Sequence, residues 1–316
     1  MVEALPYSDG QAADWDAFVR KARAPFLFER PYMDYHRARF PDASLLFFEG
    51  GRLIALFPAT AVGNTVFSHS GLTYGGLIHE RAPTARVIEL FNVLSKYYEG
   101  AGLFECEYKP VPYIYADYPA QQDLYALFRL GATLQARAIS ASIPIPPRMS
   151  FSELRKRGVR KSARAGAIVI ESDDFHLFWP MLDATLEERH SARPVHTLAE
   201  ILILRSRFPQ QIRLFLAATG GSVGGGCVIY DVGSVAHIQY IASTAQGREN
   251  GLLDALFDHV INHVAVEEGK SWVDLGVSTE QGGRVLNANL TFQKEGFGGR
   301  GIVYDTYRYP LSARIS

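Results

Sequence analysis

The sequence predicts an α/β (α+β) protein made of two tandem copies of one fold, each a mixed, mostly antiparallel sheet flanked by helices. Three observations carry that expectation. Apolar runs of strand length alternate with stretches whose apolar residues recur every three to four positions. The same order of elements occurs twice, displaced by 165–170 residues: Gly50-Gly51 and Gly220-Gly221 each lie between two strand-like runs, and Ala126–Ala132 (ALFRLGA) matches Thr291–Phe297 (TFQKEGF). The proline-rich stretch Pro144–Arg148 (PIPPR) separates the copies, giving expected domains of 1–148 and 149–316.

In the first copy, Asp14–Arg23 reads as a short helix with Trp15, Phe18 and Val19 on one face and Asp14 as its cap. The aromatic, mixed-charge stretch Phe26–Phe40 follows. Ser44–Glu49 and Leu53–Pro58 form a hairpin around Gly50-Gly51. Val66–Ser70 is a strand, and Gly71–Leu77 is glycine-rich around Tyr74. Thr84–Tyr98 is an amphipathic helix with Val87, Leu90, Phe91, Leu94 and Tyr98 at helical spacing. Leu103–Tyr108 is a strand, Asp123–Leu130 a short helix closed by Gly131, and Leu134–Ile143 a strand.

The second copy repeats this order. Helices are expected over Asp174–Glu188 and Leu198–Phe208, then a hairpin, Leu214–Ala218 and Val223–Tyr230, around Gly220-Gly221. Strand Val235–Ala242, a polar turn Ser243–Gly251 and helix Leu252–Glu268 come next. Strand Ser271–Val277, a short helix near Asn287–Glu295 and a last strand Gly301–Tyr309 complete the copy.

Composition narrows the function classes. The chain has 316 residues, 47% of them hydrophobic and 21% charged, with a formal net charge of −1. No global field draws it to nucleic acid or to a membrane surface. Cys106 and Cys227 lie in apolar strand-like runs and read as core residues of a reducing compartment. No apolar run approaches the ~18 residues of a membrane span, and Met1–Gly10 lacks a basic segment followed by an apolar one. A soluble, cytoplasmic protein is expected.

The chemistry concentrates in the second half. In Ala245–Gly251 (AQGRENG), two glycines and an asparagine frame a helix start, where backbone N–H groups and the helix dipole favour an anion. Strand, anion-binding turn, helix and strand is the order of a nucleotide- or CoA-binding acyltransferase core. Other signals are set aside. His259 and His263 are four apart on a helix without a third metal ligand or an adjacent glutamate, so no metal is expected. Gly220–Gly226 (GGSVGGG) lacks the Lys-Ser or Lys-Thr of a phosphate-binding loop.

This order of elements is similar to the GNAT acyltransferase fold, and two such domains in tandem resemble the Fem-type (FemAB-like, BioF2-like) group. The sharpest match is Leu286–Arg300 (LNANLTFQKEGFGGR), which resembles the Fem-type signature. Trp272–Gly276 (WVDLG) resembles the strand before it, and Leu154–Gly166 (LRKRGVRKSARAG) the segment opening the second domain. One departure stands out: the GNAT turn has a second small residue after its glycine, whereas Gly251 is followed by Leu252-Leu253.

The resemblance implies an acyl-donor site in the second domain, with the first shaping the acceptor pocket. Gln246, Gly247, Arg248 and Gly251 would hold a pyrophosphate. The strand Ala236–Ala242 would part from its neighbour and polarise the donor carbonyl, with Gln239 and Ile241 on one face and Ile238 and Tyr240 on the other. His190 or His196 is a candidate base, since an ammonium acceptor must lose a proton and histidine titrates near working pH. Tyr240 and Asp274 complete the catalytic candidates. Arg193 would grip an anionic acceptor, Lys294 closes the short helix, and Arg160 belongs to a run with six basic residues in ten, Arg155–Arg164. Arg30, Tyr32, His36, His69 and Tyr74 would line the acceptor side. The expected activity is transfer of an acyl group, from acetyl-CoA or another acyl-CoA, to the amine of an amino sugar, nucleotide sugar or cell-envelope precursor by direct attack. Aminoacyl transfer from tRNA and a non-catalytic binding role are the alternatives.

Overall fold

The computed structural model describes residues 1–190 and 192–316, with the side chains of Arg189 and His190 left aside. The chain divides into two compact units. The first is Met1–Ala138 with Glu280–Val285 and Val303–Ser316; the second is Ile139–Thr279 with Leu286–Ile302. The division therefore falls just before the proline-rich stretch, and each unit takes in residues from the other half of the sequence.

In the first unit the hairpin Leu45–Glu49/Arg52–Phe57 turns at Gly50-Gly51, where φ is 56° and 78° and only glycine is at ease. It pairs with Val2–Pro6 on one side and Ile78–His79 on the other. Strand Thr65–Phe67 runs parallel to Glu105–Tyr108 for three residue pairs. Helix Thr84–Gly100 joins them and buries Val87, Leu90, Phe91, Leu94 and Tyr98 in a core with Phe57, Val66 and Tyr108. Tyr307–Pro310, the end of strand Arg300–Pro310, pairs antiparallel with Glu105–Tyr108.

The second unit repeats this plan. Ile168–Ser172, Ile212–Thr219, Ser222–Val232 and Val235–Ser243 are successively antiparallel. Val235–Ser243 is parallel to Trp272–Val277, again for three residue pairs. Ser140–Pro144, the end of strand Thr133–Pro144, pairs antiparallel with Trp272–Val277. Helix Ala288–Gly296 precedes the last strand. The duplication read from the offset is therefore present in three dimensions, down to the length of the parallel pairing.

Two local expectations are corrected and one further strand is present. The first helix is Ala12–Lys21 with Gln11 at its N-cap, so Asp14 lies in its first turn. Strand Ile168–Ser172, an edge with the exposed Ile168 and Ile170, follows the basic helix Glu153–Arg164 directly. Ser243–Gly251 is no open turn: Ala245–Glu249 is already helical, capped by Thr244, and Gly251 at φ 73° redirects the chain into Leu252–His259.

The first-unit residues expected at the acceptor are buried. Arg30 is 3% exposed, pairs with Asp34 at 2.6 Å and Asp42 at 2.5 Å, and lies 3.7 Å over the Tyr7 ring. Tyr32 packs edge-on against Phe26, and Tyr74 sits 4.8 Å from Tyr115. His36 and His69 lie 5.6 Å apart, and burial, with His36, Lys109 and Arg30 adding to it, pushes His69 down to about 3. Arg30 is thus the centre of an ion-pair cluster and not a hand held out to an acceptor. Arg30→Ala, which strands two carboxylates, is expected to cost about 3 kcal/mol in urea unfolding. Unchanged stability would return Arg30 to a binding role.

Candidate active site

The glycine run Gly224–Gly226 separates the two faces of the second unit's sheet. A Cβ on Gly225 would touch Leu256 at 3.3 Å and Leu252 at 3.5 Å, whereas one on Gly226 would lie 2.7 Å from Phe178. Successive strand residues point to opposite faces. Helix Leu252–His259 therefore covers one face and helix Phe175–His190 the other.

On Val235–Ser243, Ile229 opposes Ile238 and Val228 opposes Tyr240, so Gln239 is the extra residue of a β-bulge. A bulge breaks the alternation and sharpens the local twist. Ile238 joins the core under Leu252–His259, and Ile241 packs against the same core. Tyr240 packs on Trp179 of the opposite helix, 5.3 Å between rings. The expected grouping of Ile238 with Tyr240 is thereby corrected, as is that of Ile241 with the donor face. Strict alternation fails at the bulge.

The parallel strand carries a second irregularity. Trp272–Val277 pairs with Val235–Ser243 only from Val235↔Trp272 to His237↔Asp274. On its other edge the register shifts between Asp274 and Val277, where Gly276 adopts φ 76°. The strands thus part directly after His237 and Asp274, as the resemblance implied, with a bulge on each side of the opening.

At the fork, Asp274 has no solvent exposure. Its carboxylate accepts from Ser140 Oγ at 2.5 Å and Ser142 Oγ at 2.6 Å, and from His237 Nδ1 at 2.7 Å. Burial alone would raise its pKa; the His237 hydrogen bond and charge, with the two hydroxyls, outweigh it and hold the carboxyl below the usual carboxylate range. An ionised Asp274 keeps the proton on His237 Nδ1 and leaves Nε2 as the basic nitrogen. His237 opposes Tyr230, on the same face as Tyr240, whose partner is Val228.

Tyr240 meets His196 there: the hydroxyl lies 2.6 Å from His196 Nδ1 and accepts from the His196 backbone N–H at 3.3 Å. Burial pushes Tyr240 up to about 12, so it remains a protonated donor. His196, Tyr240 and Asp274 are therefore gathered on one face. His190 lies outside the residues whose side chains are described. Arg193 is exposed.

Lys294 is buried, and its Nζ donates to the carbonyls of Gly276 at 2.7 Å and Val277 at 2.8 Å. It ties the short helix to the bulge beside the fork in place of reaching a substrate. Burial pushes it down to about 8, against the pull of Asp274.

Four backbone N–H groups of the expected anion turn already have acceptors within the chain. Gly247 N–H donates to Thr244 Oγ1, Arg248 N–H to Thr244 O, Asn250 N–H to Gln246 O and Gly251 N–H to Arg248 O. The Arg248 guanidinium donates to Ser243 O at 2.6 Å, and Gln246 Nε2 donates to Asn250 Oδ1 at 3.4 Å. A Cβ on Gly247 would lie 1.9 Å from Gly224 O. A Cβ on Gly251 would lie 2.8 Å from Gly158 O of the basic helix, so both glycines allow close packing. Arg157, Arg160, Lys161 and Arg164 of that helix are exposed beside the turn, while Arg155 pairs with Asp254 at 3.0 Å.

Reading the sequence missed His237, Ser140 and Ser142. The signal was available for His237: aligning AHIQYIA and WVDLG as parallel neighbours sets it opposite Asp274. The serines come from the first copy's last strand and had no such signal. Neither cysteine competes as nucleophile, because burial pushes both thiols up to about 12.

No family model and no curated protein matches the chain. Solved structures do. FemX superposes with a TM-score of 0.70 at 13% identity, over 98% of this chain and 97% of that one. The C-terminal domain of a putative lysylphosphatidylglycerol synthetase from Agrobacterium fabrum gives 0.63 at 13%, over 97% and 93%. A tandem GNAT protein from the clavulanic acid biosynthesis pathway gives 0.52 at 12%, over 99% of both chains. The chain has the Fem-type double-GNAT fold. No helix among the described residues is long and apolar enough to cross a membrane.

The lowered Lys294 sets a sign for stability. Folding holds its pKa near 8 against 10.5 for a free lysine, so the unfolded chain binds the extra proton between those values. Stability should rise as the pH is taken from 8 to 10.5, by about 1.4 kcal/mol for each pH unit crossed. Denaturant titrations at both pH values should give wild type a gain that Lys294→Met lacks; equal slopes would contradict the assignment.

Proposed function

We propose that the second unit transfers an acyl group to an amine by direct attack at the fork between Val235–Ser243 and Trp272–Val277. The observation that carries this reading is the parting of two parallel strands directly after a buried Asp–His pair. Strand edges without a ladder partner offer N–H groups to an acyl oxygen as negative charge develops there. His237 Nε2 takes the proton of the attacking amine, and Asp274 orients the ring and stabilises its cation. Tyr240, protonated and backed by His196, hydrogen-bonds the departing atom. Orientation of amine and acyl carbonyl supplies much of the rate. The acceptor, an amino sugar or cell-envelope precursor, follows from the Fem-type resemblance.

For the donor, two readings compete. Acyl-CoA is the donor the sequence favours. The turn, with four of its N–H groups already bonded within the chain and lying beside an exposed basic helix, favours an aminoacyl ester carried on tRNA, because phosphates would then meet arginines and lysines instead of backbone.

His237→Gln should lower kcat about 100-fold or more, and Asp274→Asn should do likewise, in a mass-spectrometric assay of acyl transfer. Undiminished turnover in both variants would remove the fork from the chemistry. Thermal midpoints with acetyl-CoA and with bulk aminoacyl-tRNA separate the donors, since a ligand of the folded state raises the midpoint. A shift with tRNA that neutral substitutions at Arg157, Arg160, Lys161 and Arg164 abolish supports the ester. A shift with acetyl-CoA alone restores the thioester.

A further inference from the structure

We propose that the first unit carries a second binding site, for a small metabolite bearing a carboxylate or phosphate group, in a cleft between Arg23 and Arg81. The cleft has a volume of about 360 Å³ and is lined by Lys21, Arg23, Glu80, Arg81, Asp117 and Tyr118. Three segments distant in sequence converge on it: the end of helix Ala12–Lys21, the loop after strand Ile78–His79, and the loop before helix Gln122–Arg129. None of these residues has a part in the transfer reaction proposed above.

The backbone at both arginines is one that favours glycine. Arg23 and Arg81 have φ of 52° and 48°, in the left-handed region that costs any residue with a Cβ. Arg23 is the residue after a helix C-cap, where the next N–H reaches back five residues, Ala24 to Val19. The same closure ends five other helical segments, from Leu103 to Tyr98, Ala132 to Leu127, Ala167 to Ser162, Lys270 to Ala265 and Gly299 to Lys294. At all five the left-handed residue is glycine: Gly102, Gly131, Gly166, Gly269 and Gly298. Glycine is the unstrained choice at this position. The one helix end that departs from it faces the cleft, and the second left-handed arginine faces the same cleft.

The charges are arranged to receive an anion. Lys21 pairs with Glu80 at 2.8 Å, and Arg23 reaches Asp117 at 3.4 Å. Among the described residues Arg81 has no carboxylate partner. Its guanidinium lies 5.5 Å from the Tyr118 ring, and the Arg81 backbone N–H donates to the Tyr118 hydroxyl at 2.9 Å, which ties the loop to that ring. Three cations against two carboxylates leave one positive charge unmatched, on the side chain best shaped to hold an oxyanion through two parallel N–H donors.

The test titrates inorganic phosphate and, separately, succinate into the full chain by calorimetry at constant ionic strength, with the thermal midpoint followed in parallel. Saturable binding is expected, with a midpoint that rises with ligand concentration. Binding of phosphate alone assigns a phosphate ester, and of succinate alone a carboxylate. The double variant Arg23→Gly, Arg81→Gly relieves the strained backbone, so it should melt no lower than wild type while losing tenfold or more in affinity. A second variant, Asp117→Asn, removes a competing carboxylate and should bind severalfold tighter, which decides the matter even if the glycine variant folds poorly. Failure of both anions to bind wild type overturns the proposal. So does full affinity in the glycine variant, or affinity in Asp117→Asn no tighter than wild type.

Discussion

A carboxylate sealed from water is costly unless every oxygen is answered, and the second unit is arranged around answering one. Asp274 draws Ser140 and Ser142 from one neighbouring strand and His237 from the other. These bonds fix the register on both sides of Trp272–Val277, because a shift of one residue would turn the serines or the imidazole to the opposite face. The same bonds keep Asp274 ionised and the His237 ring in a single tautomer. One requirement of burial thus sets both the strand order and the chemistry that the fork can perform.

The opening beside this pair follows from two irregularities acting together. The bulge at Gln239 and the left-handed Gly276 add twist on opposite sides of the gap, and twist accumulates with distance along paired strands. Lys294 holds the carbonyls that the second irregularity exposes. The fork is therefore a fixed feature of the backbone, one that asks for no motion to present its edges.

How far the sequence discloses this depends on the range of the interaction. Helix Thr84–Gly100 and the hairpins were legible because spacing and Gly-Gly pairs are local signals, and the duplication was legible because its offset repeats. His196, Tyr240 and Asp274 were named as separate candidates through the resemblance, and their common face depends on the fold. Strict alternation misplaced Ile241, since a bulge leaves no mark in AHIQYIA. Arg30 and Arg248 looked like free charges because their partners, Asp42 and the Ser243 carbonyl, are chosen by folding. Ser140 and Ser142 stayed hidden for the same reason: more than a hundred residues separate them from Asp274.

Each unit closes on a strand encoded in the other half: Ser140–Pro144 for the second, Tyr307–Pro310 for the first. During synthesis a chain emerges N-terminus first, and domains ordinarily fold in that order. Here the first unit's sheet stays open at Glu105–Tyr108 until residues 307–310 have left the ribosome, so the part made earliest is among the last to be finished. The second unit has its borrowed strand in hand from the start. Cutting the gene at the proline-rich stretch would leave Asp274 without the Ser140 and Ser142 hydroxyls and Glu105–Tyr108 with a bare edge, a strand ready to pair with the wrong chain.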